Sequence, residues 1–368
     1  MQYRFDEIAY NSTTKKKPTE EDKATYIGLE HLDSDCLSVS RWGSDVAPVG
    51  EKLIMKKGDI LFGKRRAYQR KVGIAPFDGI FSAHGMVLRP NEDIIDKDFF
   101  PFFISSDQFM ERAVRISVGG LSPTINWKDL REQKFEIPSL VEQKELAKRL
   151  WAAYNLKESY KKLLVATDEM VKSQFIEMFK DENLVPLGNI CNIEKGATIT
   201  RNDVQPGNIP VVAGGQEPSC YHNISNREAG AITVSASGAY AGYINFWDCP
   251  IFASDCNTII PKDVERVDQT FIYFGLKSMQ QQIYSLQKGG AQPHVYGKDL
   301  QKFLFPNPPY AKQIVFSEIA KQADKSKFIS LKSQFIEMFG DPMTNSKEWP
   351  DYGKINQYAQ VILGTTPN

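Results

Sequence analysis

The sequence has few cysteines and no long apolar run. Its five cysteines are an odd number and contain no CxxC pair, which argues against a disulfide framework and against a zinc site. The amino terminus lacks the apolar centre of a signal peptide, and no apolar stretch is long enough to span a bilayer. We therefore expect a cytoplasmic protein with reduced thiols and no metal site.

The sequence also lacks an excess of charge of either sign. Lysine and arginine together number 45, and aspartate and glutamate also number 45. This balance argues against a self-sufficient nucleic-acid-binding protein, because such domains are usually strongly basic. It leaves room for local basic surfaces. The length of 368 residues, of which 42% are hydrophobic, is sufficient for two domains with separate cores.

Recognisable catalytic motifs are missing as well. The four histidines are His31, His84, His222 and His294. They lie far apart and have no serine, cysteine or metal-ligand context. Gly297 and Lys298 resemble part of a phosphate-binding loop, but Asp299 stands where Ser or Thr is required. We expect no catalytic residue in this chain.

What the sequence does contain is a long internal repeat. The heptapeptide SQFIEMF occurs at 173–179 and again at 333–339. Upstream, GLSPTINWKDL at 120–130 recurs as GAQPHVYGKDL at 290–300, and GDILFGKRRAYQRKVGI from Gly58 aligns with GAITVSASGAYAGYINF from Gly230. A period near 170 residues is too long for a solenoid and indicates two whole domains of one design.

Short apolar runs bounded by Gly, Asp and Pro predict strands in both repeats. The predicted strands are 26–29, 59–62, 72–75, 86–88, 209–212, 231–234, 242–246 and 258–260. The segment 99–110, aromatic on one side, is predicted to form one helix.

Two longer helices are predicted to follow the two domains. No Gly or Pro occurs from 140 to 179, and Ser139 with Glu142 forms a capping-box start. A heptad spacing of apolar residues predicts a seam that needs a partner helix, and the second repeat supplies that helix at 310–339. The seam consists of Leu146, Leu150, Tyr160, Leu164, Val171, Phe175, Phe316, Leu331 and Phe335.

The predicted fold class is α+β, with two similar mixed α/β domains joined and separated by two long antiparallel coiled-coil helices around a pseudo-two-fold axis. The first domain is 1–138 and its helix 139–180, and the second domain is 181–308 and its helix 309–339. The tail, 340–368, is similar to the start of a domain and is predicted to begin a further, truncated unit.

The loops in which the two copies differ are the predicted reader surfaces. The first domain has a basic and aromatic run, formed by Lys64, Arg65, Arg66, Tyr68, Gln69, Arg70 and Lys71. Arg and Gln can contact guanine and adenine in the major groove, and Lys can neutralise phosphates. The alternative is a solvated basic hairpin. The corresponding loop of the second domain is small and polar, with Ser235, Ser237 and Tyr240.

A Gly-Gly-X-X-Pro loop is shared by both copies. It contains Gly119 and Gly120 in the first domain, and Gly289, Gly290, Gln292 and the adjacent His294 in the second. Because the motif is shared, we expect it to contact the DNA backbone or to support the fold rather than to select bases.

The sequence NPPY at 307–310 favours a different function, because it is the active-site tetrapeptide of amino-group DNA methyltransferases. Two observations oppose that interpretation. The repeat aligns NPPY with an ordinary strand-to-helix junction at 137–140, and no convincing S-adenosylmethionine loop lies upstream.

Taken in this order, the motifs resemble the specificity subunits of type I restriction-modification systems over essentially the whole chain. The matching segments are YIGLEHLD from Tyr26, GDILFGK from Gly58, the Gly-Gly-X-X-Pro loops, IPSLVEQKELA from Ile137, and KSQFIEMF from Lys172 and Lys332.

This resemblance implies a non-catalytic DNA-binding subunit with two target recognition domains, each of which reads half of a bipartite site in double-stranded DNA. The helices would set the spacer and dock the methyltransferase subunits. S-adenosylmethionine, ATP and Mg would belong to the methyltransferase and restriction subunits, with no cofactor in this chain. The alternatives are a free-standing adenine methyltransferase and a two-domain scaffold that does not bind DNA.

Overall fold

The computed structural model describes residues 1–339, with side-chain burial described up to residue 325. The predicted further unit at 340–368 lies outside the described residues. Two compact units are present, the first including Met1–Ser159 and the second being Tyr160–Ser333. Within the described residues, no helix combines the length and the apolar character needed to cross a bilayer.

The first unit contains ten strands and four short helices before the first long helix. The strands are β1 (Gln2–Arg4), β2 (Ala9–Ser12), β3 (Lys15–Lys16), β4 (Tyr26–Ile27), β5 (Lys52–Met55), β6 (Ile60–Phe62), β7 (Val72–Ile74), β8 (Gly79–Phe81), β9 (Met86–Pro90) and β10 (Lys134–Glu136). The helices are α1 (Phe5–Ile8), α2 (Phe100–Ser105), α3 (Asp107–Arg115), α4 (Trp127–Leu130) and the long α5 (Leu140–Phe179). Short 3-10 turns occur at Glu21–Thr25, Leu29–His31 and Ala67–Gln69.

Two four-stranded sheets form the centre of this unit, in the orders β2-β9-β6-β7 and β3-β5-β8-β4. Strand β6 is buried on both faces. Since alternate side chains of a strand point in opposite directions, β6 contributes to two cores. Ile60 and Phe62 belong to the core formed with α2 and α3, whereas Leu61 belongs to the core of the second sheet. The pairing of β1 with β10 joins the amino terminus to the strand that precedes α5.

The predicted single helix at 99–110 is wrong, because the structure divides it into α2 and α3 at Ser106. This residue has an extended backbone (φ −69°, ψ 155°). Its hydroxyl oxygen accepts a hydrogen bond from the Phe109 backbone N–H at 3.2 Å. A serine that caps a new helix in this way interrupts the preceding one, even where the apolar pattern continues.

The second unit repeats this plan. Its strands are β11 (Leu184–Pro186), β12 (Cys191–Lys195), β13 (Ile209–Val212), β14 (Cys220–His222), β15 (Ala231–Ser235), β16 (Ile244–Trp247), β17 (Phe252–Ala253), β18 (Cys256–Pro261) and β19 (Leu304–Pro306). Its helices are α6 (Leu187–Ile190), α7 (Gln269–Ser278), α8 (Gln280–Tyr284), α9 (Gly297–Lys302) and the long α10 (Tyr310–Phe339). The sheets have the orders β12-β18-β15-β16 and β14-β13-β17, and β11 pairs with β19 as β1 pairs with β10.

The predicted strands are confirmed with shifts at their ends. The strand predicted at 26–29 ends at Ile27, because a 3-10 turn begins at Leu29. The strand predicted at 242–246 begins only at Ile244. Gly242 has a φ of +87° and therefore belongs to the preceding turn. The α+β class and the internal duplication are confirmed.

Both long helices are confirmed, α5 at Leu140–Phe179 and α10 at Tyr310–Phe339. The capping box at the start of α5 is also present. The Ser139 backbone N–H donates to the Glu142 carboxylate at 3.0 Å, and the Glu142 N–H donates to the Ser139 hydroxyl oxygen at 3.3 Å.

The seam of α5 is buried differently from the prediction. Leu150 is buried in the core of the first unit, and Leu146 packs against the same core. These two residues therefore attach the helix to its own domain. Tyr160 and Leu164, further along, are half-buried.

In the second unit, α5 and α10 do pack against each other. The rings of Phe175 and Phe316 lie 5.3 Å apart, and Val171 is buried in the same core. Lys312, earlier in α10, pairs with Glu182, which follows the end of α5. The two helices therefore run antiparallel here. The side chains of Leu331 and Phe335, predicted to continue the seam, lie outside the described residues.

We predict that Phe175→Ala lowers the free energy of unfolding by about 3–5 kcal/mol, because it opens a cavity among packed aromatic rings. Ile176→Ala is the control, since the Ile176 side chain is 54% exposed on the same helix. Urea denaturation of both variants tests this. Equal stabilities would show that Phe175 does not support the core.

Candidate nucleic-acid interface

In the first unit, the basic run meets the Gly-Gly-X-X-Pro loop. The Arg66 N–H donates to the Pro123 carbonyl at 2.7 Å, and the Ile125 N–H donates to the Lys64 carbonyl at 3.0 Å. Arg65 and Thr124 form a bridge between the two segments. Two predicted site segments, about 55 residues apart in sequence, thus form one surface.

The second unit builds the same junction. The Gly238 N–H donates to the Pro293 carbonyl at 3.1 Å, and the Val295 N–H donates to the Ala236 carbonyl at 2.9 Å. Ser237 and His294 form the corresponding bridge. The same backbone bonds therefore carry different side chains in the two units, and Arg66 occupies the place of Gly238.

This equivalent position is left-handed in both units. Gly238 has a φ of +83° and Arg66 a φ of +55°. Glycine adopts this conformation freely, whereas another residue loses about 1 kcal/mol or more. A strained residue held by its surroundings is a candidate for function. The exposed guanidinium groups of Arg65 and Arg66 both donate to the Ser122 hydroxyl oxygen, at 3.1–3.3 Å.

Sequence reasoning missed a neighbouring group of lysines at 15–17. Burial and the adjacent positive charge of Lys15 both lower the pKa of Lys64. Lys15 and Lys16 lie on β3, where they pair with Glu51 at 3.9 Å and Asp22 at 3.0 Å. The run of three lysines was the available signal, but its link to the basic run is visible only in three dimensions.

Arg70 and Lys71 were predicted DNA contacts, but the structure turns both inward. Arg70 donates to the carboxylates of Asp35 at 2.7 Å and Asp107 at 2.9 Å. Lys71 donates to the Leu29 carbonyl at 2.7 Å. We therefore expect both residues to hold the loop in place rather than to contact DNA.

Tyr68 and Gln69 lie on the 3-10 turn at Ala67–Gln69, between the exposed Arg65 and Arg66 and the inward-turned Arg70 and Lys71. Tyr68 is 54% exposed, and Gln69 is half-buried. Tyr240 occupies the position equivalent to Tyr68 and is 47% exposed. Each unit therefore presents one tyrosine at the same place.

Ser235 was also predicted to contact DNA, but it is buried at the end of β15. Its hydroxyl group donates to the Gly215 carbonyl at 3.4 Å. Ser237 lies nearer the surface and donates to the carboxylate of Asp255, which sequence reasoning had not selected. The small side chains of this segment bring Asp255 beside the loop.

The two glycine pairs have distinct roles within their loops. Gly119 and Gly289 have φ values of +113° and +97°, which favour glycine. Gly120 and Gly290 have open space where a Cβ would lie. A flat approach to a sugar-phosphate backbone is possible at these two positions.

Exposed polar and aromatic groups continue this loop in the second unit. Gln292 is exposed, and His294 stacks on the ring of Tyr296 at a centroid distance of 5.9 Å. The Lys298 ammonium lies over the same ring. Lys288 is paired with Asp299 at 2.8 Å. This surface is therefore less cationic than that of the first unit.

The NPPY segment forms a strand-to-helix junction. It connects β19 to α10, as 137–140 connects β10 to α5. The Pro308 carbonyl accepts a hydrogen bond from the Gln313 side chain at 2.9 Å, and Gln313 is buried. This backbone carbonyl is thus already engaged within the fold.

The described residues contain no cluster of His, Cys, Asp and Glu suited to a metal ion. Burial raises the pKa of Cys191 to about 12 and that of Cys256 to about 12. Both groups are therefore neutral thiols at pH 7, a form that is a poor nucleophile and a poor metal ligand.

Comparison with known proteins gives one family model that matches both repeats. It describes the type I restriction modification DNA specificity domain and matches residues 6–165 and 180–337. The type I restriction enzyme EcoDI specificity subunit of Escherichia coli is 26% identical over 185 residues, which are 49% of this chain and 41% of that protein. A Methanocaldococcus jannaschii protein named as the type I restriction enzyme MjaX specificity subunit is 23% identical, over 86% of this chain and 84% of that protein.

The fold has a counterpart among solved structures. The S subunit of a type I restriction-modification system from M. genitalium has a TM-score of 0.62 at 16% identity, and the match covers 92% of this chain and 93% of that one. At this identity the likeness concerns the fold. The chain spans less than half the length of the E. coli relative and most of the M. jannaschii relative.

We predict that Arg70→Ala lowers the free energy of unfolding by about 3 kcal/mol, because it leaves the buried carboxylate of Asp35 without its partner. Arg65→Ala, which removes an exposed side chain, should change it by less than about 0.5 kcal/mol. Chemical denaturation at neutral pH measures both. A stable Arg70→Ala variant would return Arg70 to the list of candidate DNA contacts.

Proposed function

The chain belongs to the family of type I restriction-modification DNA specificity domains, and we propose that it is the non-catalytic, DNA-reading subunit of such an enzyme. Each unit would recognise one half of a bipartite site in double-stranded DNA. The observation that carries this proposal is the repeated junction, in which the same backbone hydrogen bonds present different side chains. Two readers of one design, with different contacts, fit a target made of two different halves.

The first unit has the chemistry for direct recognition of guanine. Arg65 and Arg66 are exposed and adjacent, and arginine can donate two hydrogen bonds to the O6 and N7 atoms of guanine. Lys64 and the neighbouring Lys15 supply charge for phosphate contacts. Tyr68 adds an exposed ring at the edge of this surface.

The second unit has a more neutral surface with other hydrogen-bonding groups. Gln292 can contact adenine through two hydrogen bonds, and the carboxylate of Asp255 can accept one from the amino group of cytosine. Tyr240 adds an exposed ring. Gly290, which has open space where a Cβ would lie, allows the DNA backbone to approach closely.

The long helices would set the spacer between the half-sites and dock the methyltransferase subunits. Helix α5 is continuous over 40 residues, which correspond to about 60 Å. It also exposes apolar side chains, with Val165 58% and Ile176 54% accessible. Exposed apolar groups on a long helix are suited to protein partners. S-adenosylmethionine, ATP and Mg would be bound by the methyltransferase and restriction subunits.

A free-standing methyltransferase is a weaker candidate. Its NPPY segment would have to offer a backbone carbonyl to the target amino group, whereas the Pro308 carbonyl is bonded to the buried Gln313. Methyl transfer by the purified chain alone would support that alternative. A scaffold without DNA recognition would instead assemble with methyltransferase subunits and give a complex without sequence preference.

Methylome sequencing tests the proposal directly. A host that expresses this chain with the methyltransferase subunit of its own system is compared with the same host lacking this chain. We expect a new split adenine motif with a fixed gap. A stable complex that produces no new motif would contradict the proposed function.

Reciprocal variants should separate the two half-sites. Arg65→Ala with Arg66→Ala should remove the requirement for one half, and Tyr240→Ala with Gln292→Ala should remove the requirement for the other. Each base contact is worth about 1–3 kcal/mol of discrimination. The half-site retained in each variant is the internal control, and loss of assembly without altered preference would exclude these residues as readers.

We predict that seven residues inserted after Lys157, with helix-forming sequence, lengthen the preferred spacer. Seven residues add about 10 Å to a helix, which corresponds to about three base pairs. The same insertion between Val49 and Gly50, in an exposed loop, should leave the spacer unchanged. The gap in the methylated motif is the measurement, and an unaltered gap would exclude α5 as the element that sets it.

A further inference from the structure

A buried glutamine lies in the first turns of each long helix, at equivalent positions. Gln143 in α5 is 0% exposed and Gln313 in α10 is 1% exposed. Glutamine is rarely this deeply buried, because its amide group loses hydration unless it is fully hydrogen-bonded. Its presence in both repeats therefore requires an account of what the amide holds.

In the first unit, the Gln143 side chain is hydrogen-bonded to the loop at 94–96 and to the segment just before α5. Its carbonyl oxygen accepts from the Asp96 backbone N–H at 2.7 Å. Its amide nitrogen donates to the Ile94 carbonyl at 2.9 Å and to the Pro138 carbonyl at 3.0 Å. Three bonds with different directions fix one end of α5 to two segments of the domain.

Gln313 makes the same three bonds in the second unit. Its carbonyl oxygen accepts from the Asp268 N–H at 2.9 Å. Its amide nitrogen donates to the Arg266 carbonyl at 3.0 Å and to the Pro308 carbonyl at 2.9 Å. The three contacts are all to backbone atoms. The same arrangement therefore forms in both units, although the loops at 94–96 and 266–268 differ in sequence.

The loop bonded by each glutamine is also hydrogen-bonded to the start of a helix in the domain core. The Asp96 carboxylate accepts from the Phe99 N–H at 3.1 Å, just before α2. The Asp268 carboxylate accepts from the Phe271 N–H at 2.7 Å and caps α7. In each unit the glutamine therefore joins the start of the long helix to the start of a helix of the domain core.

We propose that Gln143 and Gln313 are positioning residues that fix the angle of each long helix on its recognition domain and thereby the spacer length that the complex accepts. This inference rests on the proposed function. Apolar contacts, such as those of Leu150, attract the helix but are not directional. Hydrogen bonds are directional, and a buried amide with three partners restrains rotation as well as translation.

The length of α5 makes the angle important. Phe175 lies 32 residues beyond Gln143 in the same helix, which corresponds to about 48 Å. A rotation of about 4° at Gln143 would displace that point by about 3.4 Å, the rise of one base pair. A small freedom of rotation of α5 at Gln143 would therefore allow the complex to accept a spacer that is one base pair too long or too short.

The test uses Gln143→Met, Gln313→Met and the double variant, each expressed with the methyltransferase subunit and examined by methylome sequencing. Methionine keeps the length of the side chain but cannot make the three bonds. We expect methylation at spacers one base pair longer and shorter to rise by about tenfold relative to the cognate spacer, equivalent to ~1.4 kcal/mol of lost discrimination. Both half-site sequences should remain unchanged.

Gln322→Met is the matched control, because Gln322 is exposed on α10. It should leave the spacer distribution unchanged. A uniform fall in methylation at every spacer, with the cognate gap still strictly required, would assign the buried glutamines to stability alone and overturn the inference. Absence of any split motif with the unmodified chain would instead refute the proposed function, so the two failures are distinguishable.

Gln143→Asn replaces the methionine variant where that variant does not accumulate as folded protein. Gln143→Asn retains the amide group but shortens the side chain by one methylene, so that it cannot reach all three partners. The same broadening of the spacer is expected from it. Failure of this variant to fold as well would show that the glutamine serves the fold rather than the spacer, and would overturn the inference.

Discussion

The rest of the structure depends on the burial of the apolar side of α5. A 40-residue helix with an apolar stripe is unstable in water unless that stripe is covered. Its two ends are covered by different cores. Leu150 is buried among the aromatic residues of the first unit, and Phe175 is buried with Phe271, Phe305 and Phe316 in the second. The helix is therefore held by domain packing at each end, with half-buried residues such as Leu164 between them.

The two repeats share the backbone hydrogen bonds of the loop junction and differ in the side chains that the junction presents. The hydrogen bonds between the two loops that both units share use backbone atoms, so they survive replacement of almost every side chain. One position of this junction is left-handed in both units, and it accepts Gly238 freely but Arg66 only at a cost. That cost, about 1–2 kcal/mol, is of the same order as the discrimination of about 1–3 kcal/mol that one contact between a guanidinium group and guanine can supply. A loop of this kind can change its target without changing its fold.

Much of the architecture was predictable because its signals are local or periodic. The absence of Gly and Pro from 140 to 179 and the capping box at Ser139 predict a helix at 139–180, within one residue of α5 at each end. One error is local, the break of the predicted helix at Ser106, and the other differences concern contacts between distant segments. Arg70 belongs to a basic run in sequence, but its partners Asp35 and Asp107 lie far from it along the chain. The contribution of Asp255 beside Ser237 likewise arises from packing and has no periodic signal.

The equal numbers of acidic and basic residues fit a subunit that selects a DNA site while partner subunits supply most of the affinity. A protein that holds DNA by itself gains most of its affinity from phosphate contacts and is usually basic. This chain has 45 residues of each charge, and the exposed Arg65 and Arg66 lie beside Lys64 on one surface of the first unit. Such a surface can select a sequence without holding it tightly. Affinity would then come from partner subunits, and this chain would contribute the choice of site and the distance between its halves.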